Sequence, residues 1–213
     1  MEAVVVAVSR FASGAGNAMS VIARLGRRRL PVRLLRHESG IAAVEFALIL
    51  PILIVLWIGG VEVTQALSVD RRLNNLASAL GDLVARSKIV THADVDSIFD
   101  IAPGALYPFL TGGLDMRITA VKMNSAGTAT VAWSRAEGTT AYAVDAPMNS
   151  LVPATLRVPD TQIIMAEVAY TYTPAVGYVI TGNLDLDDRM FFVPRLVAKV
   201  QLCDNANPPN CQS

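Results

Sequence analysis

The longest hydrophobic stretch of the chain runs from Ile41 to Val61, and Glu45 is its only charged residue. A helix rises about 1.5 Å per residue, so a stretch of this length covers the roughly 30 Å hydrocarbon layer of a bilayer. The pattern therefore predicts a transmembrane helix over residues 41–61 of a single-pass membrane protein. A carboxylate inside such a helix is costly, which marks Glu45 as a candidate functional residue.

A second apolar pattern extends the helix beyond the membrane. Apolar residues alternate three and four positions apart, at Ala66, Val69, Leu73, Leu76, Leu80 and Leu83. This spacing places them on one helical face and predicts a helical extension over residues 62–90. The apolar stripe could form a coiled coil with another subunit or lie on this chain's own sheet. The apolar domain that follows favours the second interpretation.

The remaining patterns predict a short helix and then strands. Thr91 is the expected N-cap of the short helix, with Asp94 three positions on. Alternating apolar and polar residues predict four strands, at residues 114–123, 128–134, 162–172 and 196–202. Residues 124–127 form the turn of a hairpin, and residues 135–160 are expected to be a long loop. Helices followed by strands predict an α+β domain with an antiparallel sheet of about four strands, over residues 91–213.

The distribution of charge predicts the orientation of the chain in the membrane. Residues 1–40 hold seven arginines and two glutamates, a net charge of +5, and the chain as a whole is neutral, which leaves −5 for the remainder. By the positive-inside rule residues 1–40 are a cytoplasmic leader, so the C-terminal domain is periplasmic and the protein lies in the inner membrane. Met1 or Met19 is the start. The basic run has no interleaved aromatic residues, so we expect no nucleic-acid partner.

The same N-terminal residues could instead be a conventional signal peptide. The apolar run is longer than a signal-peptide core, and the first A-x-A sequence, Ala77 to Ala79, lies far downstream. The transmembrane interpretation is therefore preferred.

Candidate catalytic chemistry is weak in this sequence. The two histidines, His37 and His92, lie in the leader and at a helix start, so they do not pair for a metal site or a triad. We expect no enzyme activity, no metal and no cofactor. An acidic cluster, Asp185, Asp187 and Asp188, could take calcium, although a solvated turn is the favoured interpretation. Aromatic residues that could line a ligand site, or form the sheet core, are Trp133, Tyr170, Tyr172, Tyr178, Phe191 and Phe192.

Two cysteines lie close together near the C-terminus. Cys203 and Cys211 flank a seven-residue loop directly after the last predicted strand. In an oxidising periplasm such a pair most simply forms a disulfide.

The head of the apolar run carries a motif. Gly40 is followed after four residues by Glu45 and Phe46, behind a basic leader, and this resembles the cleavage motif of type IV prepilins. The continuation, with Pro51 and then Gly59, Gly60 and Glu62, is similar to the TadE-like pseudopilins of the Tad (Flp, tight adherence) pilus. Gly59 and Gly60 could let another helix approach closely.

The resemblance implies a minor pseudopilin or assembly component that a prepilin peptidase cuts between Gly40 and Ile41. Its implied partners are that peptidase, other Tad pseudopilins, the Flp pilin, the inner-membrane Tad assembly platform and the lipid bilayer. The alternative is a membrane-anchored periplasmic enzyme or ligand-binding domain. The Gly40 and Glu45 pair favours the pseudopilin, because a simple anchor has no use for a carboxylate in the membrane.

Overall fold

A computed structural model of the protein describes residues 39–109, 112–174, 177, 182–204 and 210–213. The first element is a helix, α1, from Ser39 to Ala85. The chain divides into two compact units, residues 1–54 and residues 55–213. The cytoplasmic leader predicted over residues 1–40 lies outside the described residues, apart from the backbone of Ser39 and Gly40.

The described part of the first unit is helical, and every side chain from Ile41 to Ile54 is exposed. Apolar side chains cover its whole circumference. In a protein that is surrounded by water such a helix would be unfavourable, whereas in a bilayer it is expected. Among the described helices, α1 is the one that is long and apolar enough to cross a membrane.

The second unit is built on an antiparallel sheet of four strands. The strands are β2 (Leu114–Met123), β3 (Ala129–Glu137), β4 (Gln162–Tyr172) and β5 (Leu184–Phe192). Their order across the sheet is β3-β2-β4-β5. The mixed α+β class predicted from the sequence is confirmed, and the predicted bounds of β2 and β4 are those observed. Two further helical turns are of the 3₁₀ type, at Ala102–Leu106 and Ala154–Leu156.

The hairpin between β2 and β3 forms at the predicted turn. The Asn124 side chain accepts hydrogen bonds from the backbone nitrogens of Ala126 and Thr128. Gly127 has φ +74°, a left-handed conformation that favours glycine. The turn chemistry read from the sequence therefore sets the register of this hairpin.

The second half of α1 packs on one face of the sheet. Five of the six stripe residues, from Ala66 to Leu80, are buried in a cluster shared with β2 and β4, as predicted for a helix on its own sheet. Leu83, the sixth, is 48% exposed, so its assignment to the stripe was wrong. Gly81 allows α1 to approach the sheet closely, since a Cβ at this position would lie 2.3 Å from the Phe192 ring.

A short helix also lies against this cluster. Helix α2 runs from His92 to Ile101 and buries Val95 and Phe99. Thr91 is its N-cap as predicted, and Thr91 and Asp94 exchange hydrogen bonds in a capping box.

The opposite face of the sheet is covered by the chain between β3 and β4. The buried residues of this second cluster are Val121, Met123, Ala129, Val131, Met148, Val152, Ile163 and Met165. The loop predicted over residues 135–160 is found over residues 138–160, which contain the 3₁₀ turn Ala154–Leu156, whereas residues 135–137 belong to β3. The sheet is therefore sandwiched between a helix and a loop.

A second, smaller sheet joins the C-terminus to the segment after α1. It contains β1 (Ile89–Thr91), β6 (Gln201–Cys203) and β7 (Cys211–Gln212), in the order β1-β6-β7. The predicted disulfide between Cys203 and Cys211 is present and links β6 to β7.

The predicted fourth strand of the main sheet was wrong. Residues 196–202 were assigned to it, but β5 takes that place, and only Gln201 and Leu202 of the segment are in a strand. The backbone of Val200 bonds to side chains and not to a neighbouring strand. Its carbonyl oxygen accepts from Trp133 Nε1 at 2.9 Å, and its nitrogen donates to Gln162 Oε1 at 2.6 Å. Because these partners are distant in sequence, the apolar alternation of residues 196–202 was misleading.

Candidate functional site

The predicted cleavage motif lies at the start of α1. The side chains of Ile41 and Phe46 are 70% and 58% exposed, and Glu45 is exposed as well. Ile41 and Glu45 are four residues apart in a helix, so they project from neighbouring turns of one face. The backbone nitrogen of Ile41 is thus about one turn, roughly 6 Å along the axis, from the Glu45 backbone.

Pro51 and the two glycines lie further along the same helix. The helix continues through Pro51, whose missing N–H leaves the carbonyl four residues earlier without its helical donor. Gly59 is buried, whereas none of the described residues places an atom within 4 Å of a Cβ built on Gly60. Space for the backbone of another helix is therefore open on the Gly60 side of α1.

Glu62 does not face away from the domain. Its side chain is 1% exposed. The neighbouring Tyr172 hydroxyl donates to Gln65 Oε1 at 3.2 Å. Burial raises the pKa of Tyr172, and the charge of Glu62 raises it further. Glu62 therefore lies at the junction of α1 and the end of β4.

A network of charged side chains crosses the sheet on the face away from α1. Glu167 on β4 accepts from Arg117 Nη1 of β2 at 3.1 Å, and from Arg189 Nη2 of β5 at 2.7 Å. The Glu167 side chain is 13% exposed, so these ion pairs are largely shielded from water. One carboxylate thus joins three strands.

The same network holds the start of the covering loop. Arg117 Nε donates to the Thr140 oxygen at 3.0 Å, and Nη2 donates to Thr139 Oγ1 at 3.2 Å. The guanidinium lies 4.1 Å from the centre of the Tyr142 ring. Burial raises the pKa of Tyr142, and the Glu167 charge adds to the shift. These groups satisfy one another, which indicates a structural role.

Sequence reasoning missed this network. The register pairs Arg117 with Glu167 and Glu167 with Arg189, but the sequence contains no signal for which strands are neighbours. An arginine and a glutamate at inner positions of two predicted strands would have been the only hint.

The acidic cluster lies on a strand and not in a turn. Asp185, Asp187 and Asp188 belong to β5, so the predicted solvated turn was wrong. Asp185 accepts from the Thr171 hydroxyl at 2.8 Å, across the β4–β5 pair. Over the described residues, no group of three or more His, Cys, Asp or Glu side chains is placed to hold a metal ion.

The candidate aromatic residues are core or partly buried. Trp133, Tyr170 and Tyr172 are buried in the cluster between α1 and the sheet. Phe192 packs against that cluster and Phe191 against the opposite one. Tyr178 lies outside the described residues.

The comparison with protein families concerns α1. The model of a family described as TadE-like protein matches residues 40–81. The match starts at Gly40, the glycine of the motif, and ends at Gly81, where α1 meets the sheet. Residues 40–81 form a TadE-like segment. No curated protein and no solved structure matches the chain.

The TadE-like segment contains every site residue that was predicted on the helix: Gly40, Ile41, Glu45, Phe46, Pro51, Gly59, Gly60 and Glu62. TadE-like proteins are a family of pilus structural and assembly proteins, not of enzymes. The segment thus suggests a component associated with the Tad pilus machinery and the membrane. The sheet, its charge network and the disulfide lie beyond the match.

Proposed function

We propose that this protein is a minor pseudopilin or assembly component of a Tad (Flp) pilus, and that a prepilin peptidase processes it between Gly40 and Ile41. The observation that carries the proposal is the start of the TadE-like match at Gly40, at the head of a helix long enough to cross a membrane. Glu45 and Phe46 are exposed on the first turns after the proposed cut, where a partner can reach them.

The proposed location is the inner membrane, with the leader in the cytoplasm and the domain in the periplasm. The arginine-rich leader supports this orientation through the positive-inside rule. The disulfide between Cys203 and Cys211 supports it independently, because disulfides persist in oxidising compartments.

The proposed cleavage is a hydrolysis. Water adds across the peptide bond between Gly40 and Ile41, which leaves a carboxylate on Gly40 and a new α-amine on Ile41. Glycine is needed before the bond, because a side chain there would obstruct the close approach of the peptidase's acidic groups. The leader remains in the cytoplasm, and the rest of the chain keeps its helix and domain.

Glu45 then acts in assembly. An isolated ammonium at Ile41 and an isolated carboxylate at Glu45 are each costly within or near the apolar layer. Pairing Glu45 with the α-amine of a neighbouring subunit offsets both costs, because each charge gains a partner of opposite sign. Such a pair would set the axial register between helices of neighbouring subunits. The proposed partners in this step are other Tad pseudopilins, the Flp pilin and the inner-membrane assembly platform.

The test combines three variants in cells that carry or lack the peptidase. Gly40→Val should retain the leader and fail to support pili, whereas Glu45→Ala should be cut but fail in assembly. Ala42→Val is the matched control for added bulk, and it should be cut. N-terminal sequencing that finds Ile41 first only when the peptidase is present supports the proposal. An intact leader in both strains, or a start beyond Val61, contradicts it.

The orientation has its own test. Alkaline phosphatase fused after Ser213 is active only when it reaches the periplasm. We expect an active fusion, and an inactive one with a fluorescent cytoplasmic reporter at the same point would overturn the orientation.

A further inference from the structure

The domain covers one face of α1 before the predicted transmembrane segment ends. Gly59 is buried although the hydrophobic run continues to Val61, and Glu62, Ala66 and Val69 continue the buried face at helical spacing. The domain and the end of the apolar run therefore overlap along the helix axis.

Glu62 does not mark the boundary between the membrane and water. It is the first charge after the apolar run, but its side chain is 1% exposed and points toward the domain. Gln65, one turn away, accepts the hydrogen bond of the Tyr172 hydroxyl. Glu62 and Gln65 are thus turned toward the domain, and neither makes the opposite face of α1 polar.

The uncovered face of α1 stays apolar beyond Val61. Val63 and Leu67 are 47% and 52% exposed. The hydroxyls of Thr64 and Ser68 each donate to the carbonyl four residues earlier, Gly60 and Thr64, at 2.7 Å. Hydroxyls satisfied within their own helix are tolerated in lipid. On this face the first exposed charges are Asp70 and Arg71.

The length of this extra apolar face matches a layer of the membrane. Residues 62–67 add about 9 Å of helix at roughly 1.5 Å per residue. The polar headgroup region on each side of a bilayer is about 5–8 Å thick. The base of the domain, where Gln65 meets the end of β4, then lies at headgroup depth.

A loop of the domain lies beside this base, because the Phe109 ring meets the Tyr172 ring edge-on, with 6.1 Å between the ring centres. Arg72 donates to the oxygens of Ala105 and Tyr107, at 3.2 and 2.8 Å, and its guanidinium lies over the Phe109 ring. The Tyr107 side chain is 78% exposed. Tyrosine is enriched at membrane interfaces, because the ring is apolar and the hydroxyl is polar.

We propose that the domain sits in the headgroup layer of the bilayer, with Val63 and Leu67 against lipid and Tyr107 among the headgroups. The inference rests on the membrane span in the proposed function. The partner is the lipid surface, and the alternative occupant of the same face is a helix of a neighbouring subunit. Continuity of the apolar face with the span favours lipid, because the domain closes the other side of α1 and no charged side chain is exposed on this one before Asp70.

The test places single cysteines along the uncovered face of the full chain, in vesicles of phosphatidylcholine and phosphatidylglycerol. The positions are Leu56, Val63, Leu67 and Asn74, which are separated by four or seven residues and so share one face. The native cysteines are bonded to each other and do not take the thiol-reactive fluorophore. Aqueous iodide and lipids that carry a spin label near the headgroup report the surroundings of each site.

We expect shallow spin-labelled lipids to quench the probes at positions 63 and 67. The iodide quenching constant should be several-fold lower there than at position 74. At position 107 a probe should also be quenched by the shallow lipid label. Val158, which is similarly exposed beside the β2–β3 turn, is the control and should be quenched by iodide alone.

Two results would overturn the inference. Iodide quenching at positions 63 and 67 as strong as at position 74 would place this face in water. Protection from both quenchers would place a neighbouring helix on it. Position 56 separates this failure from failure of the span, since a probe there that lipid labels do not quench would contradict the membrane segment itself.

Discussion

The two faces of the four-stranded sheet are both buried, but they are buried by different kinds of structure. One face lies under α1, whose contacts are apolar side chains at regular helical spacing. The other lies under residues 138–160, which have little regular structure. A helix satisfies its own backbone hydrogen bonds, whereas a loop must find partners outside itself.

The polar contacts follow this difference. On the loop face, Arg117 binds the Thr140 carbonyl and the Asn149 side chain accepts from the Ala129 nitrogen. The backbone of the loop also bonds directly to β3, as in the pair of Val131 nitrogen and Ala146 oxygen. The helix face needs few such bonds. On the helix face we therefore expect substitutions of apolar residues to lower the free energy of unfolding most. On the loop face, substitutions of polar residues should lower it as well.

The largest effect is expected from Leu73→Ala on the helix face. Leu73 is 1% exposed, and truncating a buried leucine costs about 2–5 kcal/mol through lost burial and the cavity that remains. The loss in free energy of unfolding is measured by urea unfolding of the full chain in detergent. Trp133 fluorescence reports the transition in a Trp57→Phe background. Leu83→Ala is the control, because Leu83 is on the same helix but half exposed, and it should change the free energy of unfolding by less than about 0.5 kcal/mol. Equal effects would contradict the packing of α1 on the sheet.

On the loop face, Glu167→Ala should have the next largest effect. It leaves Arg117 and Arg189 without their shared carboxylate in a shielded site. Breaking a fully buried pair costs about 3–5 kcal/mol, and some remaining exposure reduces our expectation to about 2 kcal/mol. Asp187→Ala, an exposed acid on β5, is the matched control in the same unfolding assay. A loss no greater than the control's would mean that water screens the network.

A smaller effect is expected from Asn149→Ala. The Asn149 side chain accepts a hydrogen bond of 2.8 Å from the Ala129 nitrogen, and Ala129 is buried. Leaving that donor unsatisfied costs about 1–3 kcal/mol, and we expect the lower end because loop residues can adjust. Amide hydrogen exchange should speed up at Ala129 in this variant and stay unchanged in Ser150→Ala. Unchanged exchange in both would show that another acceptor replaces Asn149.

The smallest effect concerns the cap of α2, which brings Val95 and Phe99 to the helix face. Thr91→Ala should cost about 1 kcal/mol at neutral pH. Hydrogen bonds from the Thr91 backbone and side chain lower the pKa of the Asp94 carboxyl. A carboxyl with a lowered pKa in the folded state stabilises the fold above its unfolded pKa and loses that contribution as pH falls through the folded value.

The difference between wild type and Thr91→Ala should therefore shrink in acid, below about pH 4. An NMR titration of Asp94 checks the cause. Its pKa should rise only part of the way toward the ordinary value in Thr91→Ala, because the backbone donor remains, and it should stay low in Ser97→Ala. A pKa that does not move in Thr91→Ala would remove the Thr91 hydroxyl as a cause and leave the backbone donor.

The sequence predicted the parts of the molecule that rest on local pattern. The helix of the apolar run, the stripe from Ala66 to Leu80, the Thr91 cap and the Asn124–Gly127 turn all depend on residues within a few positions of one another. Their physical causes are the helical period, the capping bond and the turn conformation, which act before any distant contact forms. The disulfide belongs here too, because its cysteines are close in the chain.

Only the tertiary structure decided which strands are neighbours and which polar groups meet. The fourth strand was misassigned because β5 carries alternating acids on an exposed edge and resembles a turn by composition, whereas the Val200 backbone is satisfied by Trp133 and Gln162, both far away in sequence. The Glu167 network and the burial of Glu62 have the same origin. Each depends on groups brought together from separate elements, and a hydrophobic pattern records how exposed a residue is along its own element but not what lies across from it.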